Sequence, residues 1–257
     1  MELKGEVAIV TGGGFGIGEA VCYRLSQEGA IVAVSDINFE NARRVADAII
    51  AQGGQALPVK TDVCKSDEVK EMVRQVIDKY GRIDILVNNV GVSPKGPKGE
   101  GLRTWLISDE EWDFTIRVNL TSAFYCTREV IPHMIKQGGG RIVLMSSSVG
   151  KQGAGGGTSI ATYGAAKAGV INLTFTLAKE LVSYNIRVNS VSPGLVEGTM
   201  MRASASPESN ERALQKIPMK RFGKPSELAE AVYFLVSPRS SYITGEVLDC
   251  NGGMVMD

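Results

Sequence analysis

Thr11-Gly12-Gly13-Gly14-Phe15-Gly16-Ile17-Gly18 follows the apolar run Val7–Val10 and leads at once into a helical pattern, Ile17, Ala20, Val21 and Leu25. Glycines at such a turn tolerate unusual dihedrals and let the backbone approach a ligand closely. The helix that follows presents unpaired N–H groups to an anion such as a pyrophosphate. A glycine cluster alone also suits an ordinary tight turn. A cluster between a strand and a helix points to a bound dinucleotide. The second apolar run ends in Ser35-Asp36, eighteen residues after Gly18. An acid there can accept hydrogen bonds from adenosine ribose hydroxyls. It would repel a 2′-phosphate by about 1–4 kcal/mol at ~4 Å, about one to three powers of ten in affinity. Neither Phe15 nor Ile37 offers a cation, so NAD(H) is expected in preference to NADP(H).

Outward from this turn, short β-branched runs alternate with amphipathic segments. Strands are expected at Val7–Val10, Ile31–Ser35, Ala56–Val59, Ile83–Val87, Ile142–Met145, Arg187–Val191 and Glu246–Leu248. Several are apolar without alternation, as in parallel strands covered on both faces. Ala42, Val45, Ala46 and Ile49 fall at helical spacing, as do Val69, Met72, Val73, Val76 and Ile77. Ser108 with Glu111 reads as a capping box, and Ser66 and Ser226 as further N-caps. The alternation predicts one α/β domain over residues 1–257. It would be a Rossmann-type, doubly wound parallel sheet of about seven strands with helices on both faces. Ligands of such sheets bind beyond the carboxyl ends of the strands. Three segments read as loops: Val92–Ile107, Lys151–Ser159 and Leu195–Met219. Residues 195–219 are expected to form a partly apolar substrate lid containing Met200, Met201, Leu214, Ile217 and Met219.

Bulk properties narrow the function. The 257 residues carry 28 Lys plus Arg and 28 Asp plus Glu, a net charge of zero. That balance supplies no field to attract nucleic acid or an anionic membrane. Cys22, Cys64, Cys126 and Cys250 are scattered, which suits a reducing cytoplasm and argues against a metal site. No stretch reads as a signal peptide or a membrane span.

Acid–base chemistry has few candidates. The single histidine, His133, lies in Ile131-Pro132-His133-Met134-Ile135, and no GxSxG turn accompanies it. Tyr163 and Lys167 are four residues apart and share a face if helical. An ammonium beside a phenol favours the phenolate and eases proton exchange.

With these residues in place, the whole chain resembles the short-chain dehydrogenase/reductase family. The resemblance runs in order through Thr11–Gly18, Asp62-Val63, Asn88-Asn89-Val90-Gly91, Asn119, Ser146-Ser147-Ser148, Tyr163 with Lys167, Pro193-Gly194 and Asn251-Gly252-Gly253. It implies that Tyr163 exchanges the hydroxyl proton and that Lys167 lowers the tyrosine pKa and binds the nicotinamide ribose. Ser147, three positions before Gly150, would orient the substrate oxygen, and Asn119 would anchor a water relay towards Lys167. Gly12, Phe15, Gly16, Ile17 and Gly18 would hold the pyrophosphate. Asp36 and Ile37 would face the ribose, and Asp62 and Val63 would flank the adenine. Asn89, Val90 and Gly91 would line the cofactor, and Pro193, Gly194, Val196 and Thr199 its nicotinamide end. The chain departs from the family in having Val90 for a small residue, a longer serine-to-tyrosine spacing and a longer Pro193–Thr199 segment.

The implied activity is hydride transfer between NAD(H) and a secondary alcohol or its ketone, acting on a small molecule and working as a homotetramer. The alternatives are a 3-oxoacyl thioester (ACP or CoA) reductase and a catalytically silent NAD-binding sensor. Thioester reductases of this type mostly use NADPH and carry a basic residue in the glycine loop, where this chain has Phe15. A silent sensor would have lost the tyrosine or the lysine, and both are present.

Overall fold

Ala8 and Val10 point to one side of the sheet and Val7 and Ile9 to the other, and each side meets a layer of helices. That is why the first apolar run shows no alternation. The computed structural model describes residues 1–93, 103–153, 161–198 and 207–256. Its strands are β1 (Val7–Thr11), β2 (Ile31–Asp36), β3 (Gln55–Lys60), β4 (Ile85–Asn88), β5 (Gly140–Met145), β6 (Ile186–Pro193) and β7 (Val247–Cys250). They form one seven-stranded parallel sheet in the order β3-β2-β1-β4-β5-β6-β7. Chain order reverses between β1 and β4, so the binding crevice opens above these strands.

Among the described residues the helices are α1 (Gly16–Gln27), α2 (Phe39–Ala51), α3 (Ser66–Tyr80), α4 (Asp109–Ile116), α5 (Ser122–Gln137), α6 (Ser148–Gln152), α7 (Ala161–Leu181), α8 (Pro207–Gln215) and α9 (Pro225–Val236). Helices α1, α2 and α9 bury Val21, Leu25, Val45, Ile49, Leu228 and Val232 against one face. Helices α3, α5 and α7 bury Met72, Val76, Val130, Met134, Val170 and Leu181 against the other. No described helix is long and apolar enough to cross a membrane.

All seven expected strands form, with shifted ends. Ile83 stays outside β4 because the Gln137 amide takes both its backbone groups, accepting from its N–H at 3.2 Å and donating to its carbonyl at 2.7 Å. The Ser108–Glu111 capping box forms at 3.2 Å in each direction. The other two expected caps do not. Ser66 is already helical, and its hydroxyl accepts from Arg128 at 2.8 Å. Pro225 opens α9 one residue before Ser226, while Glu227 accepts from the Lys224 N–H at 2.8 Å. Two expected loops contain helix: α6 runs into Lys151–Ser159, and α8 lies inside Leu195–Met219. Pro207 at the first helical position starts α8, whose few apolar residues leave no legible period.

Candidate active site

The glycine turn between β1 and α1 is built by close approach. Gly12 and Gly16 have φ of 62° and 59°. A Cβ on Gly18 would stand 2.1 Å from the Gly12 carbonyl oxygen, so only glycine lets α1 pack onto the turn. Phe15 precedes the helix in extended conformation and caps none of its N–H groups with its side chain. The free N–H groups of Gly16, Ile17 and Gly18 are thus suited to a pyrophosphate. Asp36 reaches the turn from β2: one carboxylate oxygen accepts from the Gly14 N–H at 3.0 Å and the other from the Asn38 N–H at 2.9 Å. Ile37 beside it is exposed. Asn89 ties the end of β4 to the same turn, donating from its amide to the Thr11 and Gly12 carbonyls at 3.2 Å each. Asp62 accepts from the Cys64 N–H at 3.0 Å beyond β3, with Val63 buried beside it.

The polar cluster expected to do the chemistry assembles above β4 and β5. Tyr163 and Lys167 both lie on α7 and are 7% and 3% exposed, so water has little access to either. The Lys167 ammonium donates to the Met145 carbonyl at the end of β5 at 2.8 Å and lies 5.7 Å from the Tyr163 ring centre. Ser147 caps α6, its Oγ accepting from the Val149 N–H at 3.3 Å, and its side chain lowers the Tyr163 phenol against the effect of burial. Ser146 is used differently. It donates to the Val191 carbonyl at 3.0 Å and accepts from Ser190 at 2.8 Å, which spends it on sheet packing. Ser148 is buried in the first turn of α6. Of the three serines, therefore, Ser147 faces the tyrosine.

Asn119 lies in a π-helical turn, Arg117–Thr121, between α4 and α5, a distortion often found at functional sites. Both its amide donors are occupied, by the Val92 and Thr115 carbonyls at 2.9 Å each. Gly91 is where these parts meet: a Cβ there would begin 2.9 Å from Asn119 Oδ1 and 3.1 Å from Lys167 Nζ. Val90 packs into the core under β4 and lines a small cavity with Thr11, Asn88 and Asn119. At the far end of the crevice Gly194 presses against the Asn251 backbone, with 2.8 Å between its missing Cβ and Asn251 Cα. Pro193 ends β6, and Val196 is buried and bridged to Gly223. Thr199 lies outside the described residues. His133 stands on α5, within Ser122–Gln137.

The electrostatics differ from the sequence expectation. Burial pushes the Tyr163 phenol above its ordinary range, and the Ser147 side chain pulls it back only in part. Burial also brings the Lys167 ammonium down to about 8. The expected easing of the phenol by the lysine is not what governs the free protein. Desolvation dominates both groups, raising the phenol and lowering the ammonium.

The comparisons with known proteins agree with this geometry. The family model described as enoyl-(acyl carrier protein) reductase matches residues 13–255. A 3-oxoacyl-(acyl-carrier-protein) reductase of Thermotoga maritima is 43% identical over 256 residues, spanning 100% of both chains. The chain belongs to the short-chain dehydrogenase/reductase family. It is a nicotinamide-dependent oxidoreductase acting on keto and hydroxy groups. Among solved members of the family, a 7α-hydroxysteroid dehydrogenase complexed with NADH and 7-oxo glycochenodeoxycholic acid is 33% identical. That match has a TM-score of 0.91 and covers 100% of this chain and 96% of that one. A 3-oxoacyl-(acyl-carrier protein) reductase from Brucella melitensis is 34% identical with a TM-score of 0.92, covering 100% and 93%.

One residue at this short-chain dehydrogenase/reductase site escaped the sequence reading, and another has a second role there. Arg44 on α2 donates to the Gly14 carbonyl at 2.9 Å, placing a cation at a turn where Phe15 and Ile37 offered none. Nothing in its spacing marks it, because the contact depends on how α2 folds back over the turn. Gly150 marked the serine but carries a second duty. A Cβ there would stand 2.7 Å from the Lys167 carbonyl carbon, so α6 and α7 touch backbone to backbone.

Proposed function

We propose that the chain reduces 3-oxoacyl thioesters to 3-hydroxyacyl thioesters with NADH. This narrows the secondary alcohol/ketone reading to what the sequence analysis held as its alternative. The observation that carries it is the full-length likeness to the Thermotoga maritima reductase, 43% identical from end to end. Burial of Tyr163 beside Ser147, which raises its phenol above the ordinary range, supports its role in exchanging the substrate proton.

Bound nicotinamide would supply the hydride; the protein's own task is alignment and proton management. The Gly12–Gly18 turn holds the pyrophosphate, Asp36 and Ile37 receive the adenosine ribose, and Asp62 and Val63 flank the adenine. Asn89, Val90 and Gly91 line the cofactor, and Pro193, Gly194 and Val196 lie at its nicotinamide end. Ser147 and Tyr163 both donate to the substrate carbonyl oxygen, stabilising the charge that develops there. Tyr163 then passes its proton to that oxygen. Lys167 holds the nicotinamide ribose and compensates the phenolate that remains. Asn119, its side chain spent on Val92 and Thr115, anchors the water relay towards Lys167. The expected lid, residues 195–219, lies partly outside the described residues, at 199–206.

NADH is preferred because a 2′-phosphate would meet the Asp36 carboxylate. Four free cysteines, two of them buried, fit a cytoplasmic setting. Exposed Phe124 on α5 and Phe175 on α7 offer apolar surface for a homotetramer.

Absorbance of NADH and NADPH with acetoacetyl-CoA, beside a 7-oxo steroid and a simple ketone, tests the reading. It requires faster turnover of the thioester than of either ketone. A steroid or free ketone outrunning the thioester would return the assignment to the broader alcohol/ketone reading, which the hydroxysteroid dehydrogenase relative favours.

A further inference from the structure

The peptide of Gly14 is held between two opposite charges. Its N–H donates to Asp36 at 3.0 Å, and its carbonyl accepts from Arg44 at 2.9 Å. Arg44 is in turn held by Glu19 on α1 through two bonds of 2.7 Å, one from each terminal nitrogen. The Tyr23 hydroxyl donates to the same Glu19 carboxylate at 3.2 Å. Arg43, the next cation on α2, is paired with Glu40.

The backbone of one residue, Gly14, therefore separates the acid that would meet a ribose 2′-position from a guanidinium, the side chain best shaped for phosphate. A 2′-phosphate beside Asp36 would stand near Arg44, whose side chain is 51% exposed. What denies it that partner is Glu19, which occupies both terminal nitrogens in a fork-to-fork pair. We propose that Glu19 is a specificity-determining residue: by sequestering Arg44 it keeps a potential 2′-phosphate site closed and reinforces rejection of NADP(H) by Asp36. This rests on the reading that the cofactor's adenosine end lies at Asp36.

The plain competing account is that the pair only bolts α1 to α2. Binding separates the two. Dissociation constants of NADH and NADPH are read from the fluorescence of the reduced nicotinamide for wild type, Glu19→Gln, and Glu19→Gln with Arg44→Met. Freed to pair with a phosphate, Arg44 shifts the NADPH-to-NADH affinity ratio by about tenfold towards NADPH in Glu19→Gln. Adding Arg44→Met cancels the shift. If both cofactors weaken together and the ratio stays fixed, the pair is a bolt and the proposal fails. It also fails if the shift persists without Arg44, because Glu19 would then act by repulsion alone. Asp36→Ala is the separate control on the underlying reading. Unchanged affinity for both cofactors there removes Asp36 from the site, whatever Glu19 does.

Discussion

Lys167 carries a cost that can be measured. Burial lowers it from an ordinary 10.5 to about 8. Below about 8 both folded and unfolded chains hold the proton, and the penalty for burying the ammonium is fully present. Between about 8 and 10.5 the unfolded chain binds a proton that the folded chain has released, so stability rises with pH across this window. Lys167→Met removes the penalty and should stabilise the protein by up to roughly 3 kcal/mol at pH 7, while abolishing turnover. Urea denaturation of both proteins at pH 7 and pH 10 checks this: the gap must narrow at the higher pH, and a constant gap contradicts it. Gly91→Ala is expected to act locally, because its methyl group would push on Asn119 and Lys167. Turnover should fall at least ~10-fold, as misalignment of catalytic groups costs, with NADH affinity reduced less. At this scale the sequence was legible where chemistry is local. Tyr163 and Lys167 share a helix face, and Ser147, the serine expected from Gly150, lies beside Tyr163. It was illegible where contacts are long-range: Arg44 reaches Gly14 across thirty residues, and burial, not the lysine, sets the state of the phenol.

The short helix α6 is positioned by contact between backbones. Gly150 lies against Lys167 and Ala168 of α7, with 2.7 Å and 2.9 Å available to a Cβ. Gly150→Ala must push the two helices apart and carry Ser147 away from Tyr163. Overpacking of this kind costs about 1–3 kcal/mol; thermal unfolding should register it, and turnover should fall more steeply than stability. A Gly150→Ala protein with normal turnover would show that α6 can shift without disturbing the serine. At the start of α4, Ser108→Ala removes half of the capping box and should cost about 1 kcal/mol in urea denaturation. Strands were the most legible elements, since runs buried on both faces leave little polar sequence to confuse the reading. Helix starts were less so. Ser66 and Ser226 look like caps, yet Arg128 claims the first and Pro225 pre-empts the second. Helix α8 was missed because its pattern Pro207–Gln215 is mostly polar.

Across the whole molecule, a neutral chain folds seven parallel strands so that every proposed site residue in the described segments falls near the strand ends on one rim. Helices on that rim carry the proposed site: α1 begins at the glycine turn, and α7 carries both Tyr163 and Lys167. The proposed homotetramer predicts a light-scattering mass four times that of the 27.5 kDa chain, reduced by Phe175→Glu on α7; a monomer in both would refute it. The most direct test of the account concerns Tyr163. Single-turnover oxidation of NADH by acetoacetyl-CoA should slow by about 10²–10⁴-fold in Tyr163→Phe, the usual worth of a positioned proton donor, with NADH binding preserved. A variant that turns over at the wild-type rate would show that the proton comes from elsewhere.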